Sequence, residues 1–346
     1  MGAKKIQISP DNRTTWYTFP GDKGEIHNEA NSINDTIFGQ NYKSSQSGLI
    51  NLNLSCNGYY KGFAGYVATI KKSGTPTTVT GGPMTLVSGK TYKVTDATKN
   101  LVDRATAVVV KDNGVTVGAN NILSFDYLFG QVTFTSGYTP TGPITMDYKY
   151  MPLTQVAKGQ SFTLTQTADT IKTSDFETVQ ANGGYDTFDY GLKTVSLSVK
   201  GVYASSNGYV ALLQSRAEIV IEIQPSGDTN ATARGWFKMA NEGSSGNVGE
   251  LEAEDVNFTL YVPDQASIIT PFSWSFSATS TLNRAIREAV LAWQNSTTID
   301  ANYLQDGTAG QATDAIVTDV TLAGGLEVMN EFSVKFQGTG APVAFP

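Results

Sequence analysis

The sequence predicts a mainly β fold: two sister β-sandwich domains, each with a short flanking α-helix, and a small inserted all-β (Ig-like) module. Three observations carry that prediction. First, the stretch Gly48–Ile70 recurs without a gap as Gly191–Leu213, 143 positions later. Gly48/Gly191, Leu54/Leu197, Ser55/Ser198, Gly58/Gly201 and Tyr60/Tyr203 are identical, as is the run Gly-Tyr-Val-Ala that begins at Gly65 and at Gly208. Average composition would give about one or two matches in such a window, so the chain contains a duplicated unit. Second, Ile50, Leu52, Leu54 and Cys56 alternate with polar residues, as do Val195, Leu197 and Val199. A period of two marks a strand with one buried face. Third, Gly, Thr, Ser, Asn, Val and Tyr dominate, a composition rich in strands and turns.

After Gly58 and Gly201 the alternation stops. Tyr66, Val67 and Ile70 in one copy, and Tyr209, Val210 and Leu213 in the other, have the spacing of about two helical turns. Each copy therefore reads as strand, turn and short helix.

With 346 residues the chain is long enough for two or three domains. A net charge of -7, with 16% charged residues, argues against a protein that binds nucleic acid by neutralising phosphate. The single cysteine, Cys56, rules out a disulfide framework within one chain and reads as a small buried hydrophobe. MGAKKIQIS is not followed by an apolar segment, and no apolar run approaches the ~20 residues that span a bilayer. The expectation is a soluble chain with no membrane partner.

Taken in order, Lys5 to Thr18 reads as a hairpin around SPDNRT. Gly21 to Ser47 reads as a long polar loop, far beyond the usual 2–6 residues of a compact domain. Its counterpart is Ala168 to Tyr190, where Ile33 and Phe38 recur as Ile171 and Phe176. These loops read as arms that dock on a neighbour. Ile33, Phe38, Tyr42, Ile171, Phe176 and Tyr185 are the candidate residues for contact with a neighbouring subunit. Residues 76–152 hold short strands separated by turns, the pattern of a small sandwich, with Asp112-Asn113-Gly114 as a tight hairpin. EIVIEIQPSGDTNATARGWFKM is a further hairpin, and TLNRAIREAVLAWQ is a helix capped by Thr281 with Leu282, Ile286, Ala289, Val290 and Trp293 on one stripe. A partial third echo aligns Ile219 with Ile299, Gly227 with Gly307, Phe258 with Phe332 and Leu260 with Val334. The division that follows is 1–75 with 264–346 as one domain, 76–152 as the inserted module, and 153–263 as the sister domain.

Catalytic chemistry has little to stand on here. His27 is the only histidine and lies among polar residues, so no Ser-His or Cys-His pair and no His-based metal set can form. Ser88-Gly89-Lys90-Thr91 lacks the upstream glycine of a phosphate loop and reads as a turn. Glu250, Glu252 and Glu254 alternate along one strand, which could place paired acids in a cleft but reads first as a solvated strand end. The expectation is a protein that is not an enzyme, with no cofactor and no metal.

KKIQISPDN, TWYTFPGDKGEI, INDTIFGQNYKS, FDYLFGQVTFTSGYTPTGPIT, FTLTQTADTIKTSDFETVQANGGYDT and VIEIQPSGDTNATARGWFKM together resemble the major tail tube proteins of long-tailed (siphovirus-type) bacteriophages. The resemblance covers most of the chain. It implies tail-tube-type domains, shared with contractile tail tubes and the type VI secretion tube, that form rings of six stacked around a DNA path. It implies a virion protein made in the host cytoplasm, with itself, a tape measure protein, a tail terminator and distal tail proteins as partners. DNA would pass through without specific binding. Most members carry one such domain; two per chain imply a ring of three with pseudo-six-fold symmetry. Glu250, Glu252 and Glu254 are then candidates for an acidic lumen that repels phosphate. A carbohydrate- or cell-surface-binding adhesin is the principal alternative, and a glycoside-cleaving enzyme a more distant one.

Overall fold

The structure is a computed structural model and describes residues 4–34, 45–60, 68–157, 159–225, 229–246, 251–262, 270–305, 307, 309–326 and 329–345. It is mainly β, with large antiparallel sheets, one of them curled into a half-barrel. The chain opens with β1 (Lys5–Ser9), β2 (Tyr17–Thr18), β3 (Gly21–Asn34), β4 (Ser45–Tyr59) and β5 (Thr69–Ser73). The module follows as β6 (Thr77–Ser88), β7 (Thr91–Val94), β8 (Val109–Asp112), β9 (Val115–Thr116), β10 (Ile122–Asp126), β11 (Gln131–Phe134) and β12 (Ile144–Tyr150). Next come β13 (Leu153–Gln155), β14 (Gly159–Lys172), α1 (Phe176–Ala181), β15 (Phe188–Val202), α2 (Tyr209–Ser215), β16 (Ile219–Gln224), β17 (Ala231–Ser245), β18 (Ala253–Leu260) and β19 (Phe272–Phe276). The chain finishes with α3 (Arg284–Asn295), β20 (Ile299–Leu304), β21 (Gly310–Gly325), β22 (Glu331–Gly338) and β23 (Val343–Phe345).

The duplication extends well beyond the repeated stretch. Hydrogen-bond register repeats strand for strand: Leu197 faces Phe258 where Leu54 faces Phe336, and Phe237 faces Leu260 where Ala315 faces Gly338. Irregularities repeat too. The β14–β15 pair shifts register between Gly159 and Ser161 and between Ala168 and Thr170; the β3–β4 pair shifts between Gly21 and Lys23 and between Ala30 and Ser32. The shift between Met239 and Asn241 recurs between Val317 and Asp319. Bulges re-aim whole strands, so matching bulges mean matching curvature.

This register corrects three expectations. Phe258 corresponds to Phe336, not Phe332; a slip of four keeps every side chain on its face, which is why alternation alone could not exclude it. Ile70 lies in β5, where it pairs with Ile223, and not in a helix; Tyr66 and Val67 lie outside the described residues. The helix sister to α2 is α3. Both end in left-handed caps, Arg216 (φ 52°) and Ser296 (φ 53°), and both lead directly into the matched strands β16 and β20.

Domain boundaries move accordingly. β5 pairs with β16 as β1 pairs with β20, and β19 pairs with β17 as β23 pairs with β21. One domain thus comprises β1–β4, α3 and β20–β23. The other, β5 with β13–β19, is nested between β4 and α3. The module in turn sits within the nested domain, between β5 and β13, where the outer domain has only the turn between β1 and β2. Lys71 and Lys72 are strand residues of β5 facing Glu222 and Ile221.

The described residues of Gly21 to Ser47 are also not a loop. Residues 21–34 and 45–47 belong to the long paired strands β3 and β4; residues 35–44 lie outside the described residues. Only Ile26 and Ile33 in β3 carry an apolar signal, because most of that strand is exposed.

Beneath the sheets one apolar cluster runs through both domains. α3 supplies Ile286, Ala289, Val290 and Trp293, all at most 3% exposed, against Phe272 and Trp274 of β19. Its N-cap is Asn283, whose side-chain Oδ1 accepts from the backbone N–H groups of Ala285 and Ile286, two residues after the expected Thr281. Capping saturates backbone donors that would otherwise lack partners.

The module has its own core around Val102, Val132, Phe134, Met146 and Tyr148. The hairpin at Asp112-Asn113-Gly114 forms as expected, with φ of 50° at Asn113 and 81° at Gly114. A separate cluster joins module to nested domain: Leu101, Leu128, Phe129 and Met151 pack on Val220 and Trp236. Arg234 crosses the same seam. It pairs with Glu222 at 2.7 Å and donates to Asn100 Oδ1 at 2.7 Å and to the Leu128 carbonyl at 2.6 Å. Burial pulls its pKa down, and Glu222 pushes it back up. In the outer domain the residues matching Val220 and Trp236 are Asp300 and Asp314, held by Arg13 from the β1–β2 turn at 2.7 and 3.0 Å. The same face is apolar where covered and charged where not.

Candidate functional site

The two domains meet edge to edge. β14 of the nested domain pairs with β21 of the outer domain over seven residues, from Ser161↔Gly325 to Thr167↔Asp319. This joins the strand order β17-β18-β15-β14-β21 to β22-β4-β3 in one continuous sheet. Leu164 faces Leu322 across the seam, both fully buried, and continues a core row from Phe258 and Leu197 to Phe332. Gly324 packs closely there: a Cβ would lie 2.3 Å from Asn330 Oδ1 and 3.0 Å from Phe162 Cε1, so a larger residue would have to displace those side chains.

The opposite face is mostly polar, with Ala323 and the 41% exposed Tyr59 as apolar or aromatic exceptions in the row of Asn257, Ser198 and Thr163. One row of cross-strand partners reads Thr259, Ser196, Thr165, Thr321, Ser333, Asn57 and Lys23 across seven strands. The next reads Thr194, Thr167, Asp319, Lys335, Ser55 and Glu25. Thr167 and Thr194 hydroxyls bond each other at 2.6 Å. The charges are largely paired: Lys335 with Asp319 at 3.4 Å, Lys200 with Asp255 at 3.3 Å, Lys23 with Glu25 at 2.9 Å. Such a surface binds water well and offers little net field to a charged polymer. The module lies on the other side of the sandwich, against Val220 and Trp236.

The residues singled out from sequence fall in different places. Phe38 and Tyr42 lie outside the described residues, as do the side chains of Ile33 and Phe176. Ile171 is 55% exposed near the end of β14. Tyr185, expected to reach a neighbour, docks on the sister domain of its own chain. It forms a bridge with Ile50, whose N–H donates to the Gly184 carbonyl while Asp186 donates to the Ile50 carbonyl, both at 3.0 Å.

The acidic trio does not form one surface. Glu250 is outside the described residues, and Glu252 is exposed ahead of β18. Glu254 is buried, accepting from Asn207, and burial raises its pKa. It has the parity of Val256 and Phe258, the core face, a signal present in the sequence. Cys56 is buried in the core, which pushes its thiol up to about 12. His27 is exposed on β3 opposite Asn53. No group of three potential metal ligands occurs among the described residues. No helix among them is long and apolar enough to cross a membrane.

No family model matches the chain, and no curated protein does. Among solved structures, it is similar to one described as the tail of an empty GTA (gene transfer agent) particle computed with helical refinement and C6 symmetry. The identity is 14% and the TM-score 0.29, over 37% of this chain and 87% of that one. At that TM-score the likeness establishes neither a shared fold nor a shared role.

What the sequence reading did not single out is the pair of outermost strand segments. Among the described residues, Lys23–Glu29 of β3 pair only with β4, and beyond Met239 β17 pairs only with β18. Their sister segments are the ones that meet at the β14–β21 seam.

Proposed function

We propose that this chain is a structural subunit of a phage-type tail tube. Copies close into rings, and rings stack into a hollow tube through which DNA leaves. Three chains supply six quasi-equivalent domains per ring, and the hydroxyl- and amide-rich face lines the bore. The observation that carries this reading is the edge-to-edge union of two register-matched domains through β14 and β21. One contact of a repeating ring is thereby built into each chain, and its two counterpart edges remain open. Open edges invite further strands, and a heterologous contact repeated by a rotation that divides a full turn closes into a ring.

The polar face supports the conduit role by a different route from the acidic lumen anticipated from sequence. A lining of Ser, Thr and Asn in which Lys23, Lys200 and Lys335 are each paired with a carboxylate holds water and gives phosphate few free cations to adhere to and no strong field to overcome. The module, seated on the far side of the sandwich, would decorate the outside and leave the bore free.

Electron microscopy of the purified protein tests the reading. Rings or tubes with a central channel are the expected result. Separate elongated monomers at every concentration would contradict it and favour an adhesin.

A further inference from the structure

We infer that the seam between neighbouring chains is a second copy of the β14–β21 seam, made by β3 of one chain and β17 of the next in a defined register. The inference rests on the tube reading above and specifies its contact.

The argument runs from matched positions. In register, Gly159 and Ser161 of β14 correspond to Gly21 and Lys23 of β3, and Met239 and Asn241 of β17 correspond to Val317 and Asp319 of β21. Transferring the observed pairs Phe162↔Gly324, Thr163↔Ala323, Leu164↔Leu322 and Thr167↔Asp319 gives Gly24↔Gly246, Glu25↔Ser245, Ile26↔Ser244 and Glu29↔Asn241. Nothing in the chain occupies either edge among the described residues. The bulges that curve β14 and β21 are present in β3 and β17, so the new pair has the curvature of the old. Glycine stands at the same pair of positions on one side, Gly246 matching Gly324, and adds Gly24 opposite.

The chemistry differs in a way that suits assembly. Within the chain the central pair is Leu164 against Leu322, both fully buried. Between chains it is Ile26 against Ser244, flanked by Asn28 and Glu242. The inner seam is permanent, whereas the outer one has to stay unpaired in the free subunit. Charge along an open edge, here Lys23, Glu25 and Glu29, keeps strands from pairing indiscriminately.

Cysteine pairs read the register. In a Cys56→Val background, which installs the sister residue Val199, the variant Glu25→Cys/Ser245→Cys is oxidised after assembly. A disulfide needs Cα atoms about 4.4–6.8 Å apart, and a two-residue slip moves them about 7 Å along the strand. Non-reducing gels should show one-, two- and three-chain species with nothing larger, and Glu25→Cys/Gly243→Cys should cross-link at least tenfold less. Hydrogen exchange of the unmutated protein supplies the second measurement. The amides of 24–29 and 241–246 should slow on assembly. Rings that form without the cross-link and without added protection would overturn this seam while leaving the tube reading standing. A ladder running past three chains would overturn closure. An unmutated protein that never forms rings would overturn the tube reading itself, and this seam with it.

Discussion

Replacing Arg234 with methionine should lower the stability of the nested domain by about 3–5 kcal/mol, read as a fall in the denaturant midpoint. Removing one member of a buried ion pair leaves the other charge without compensation. Glu222, 2% exposed, would keep Lys71 as its one cation beside the Gln224 amide, and the Asn100 and Leu128 oxygens would lose their donor. The outer domain shows the alternative solution. Its residues at the matched positions are Asn302 and Ala312, with no charge at either. The double variant Glu222→Asn/Arg234→Ala should therefore recover part of the loss. Equal damage from the single and double variants would mean that the pair is not what stabilises this seam.

The second large effect concerns the module. Replacing residues 74–153 with the outer domain's turn, Pro10–Trp16, should make the protein aggregate. Val220 and Trp236 would be stripped of cover, at about 1.5–3 kcal/mol for each large apolar side chain exposed, and an exposed apolar patch promotes association. Adding Val220→Asp and Trp236→Asp gives the transplanted Arg13 its two carboxylates, and Glu222→Asn with Arg234→Ala removes the orphaned charges. That variant should be monodisperse by sedimentation and should assemble into thinner tubes with an unchanged bore. A bore that changes width would show that the module lines it. A monodisperse transplant without the four substitutions would show that the seam does not need covering.

Parts of this architecture were legible in the sequence for identifiable reasons. The duplication showed because Gly48–Ile70 and Gly191–Leu213 share glycines and tyrosines as well as alternation. α3 showed because its stripe is long and one-sided, with Ile286 and Trp293 a full two turns apart. The hairpin at Asn113-Gly114 showed because positive φ at both turn residues restricts the choice of side chain.

Other features were hidden by the same physics that makes them useful. β3 carries little apolar alternation because one side faces the polar surface and its edge is open, so a strand looked like a loop. β5 is short and bears Lys71 and Lys72, yet Lys71 reaches the buried Glu222, a partner 151 residues away. The nesting of one domain inside the other is set by long-range pairing, β5 with β16 and β1 with β20, which no local pattern announces. The acidic trio misled for the opposite reason. Alternation gives parity, but only Val256 and Phe258 say which parity is inside.

The most direct test of the account is the mass of one isolated ring, measured by native mass spectrometry. Three chains of 37.0 kDa around a channel are expected, because each chain already joins two of the repeating domains. A ring of six chains, or a particle without a channel, would contradict it.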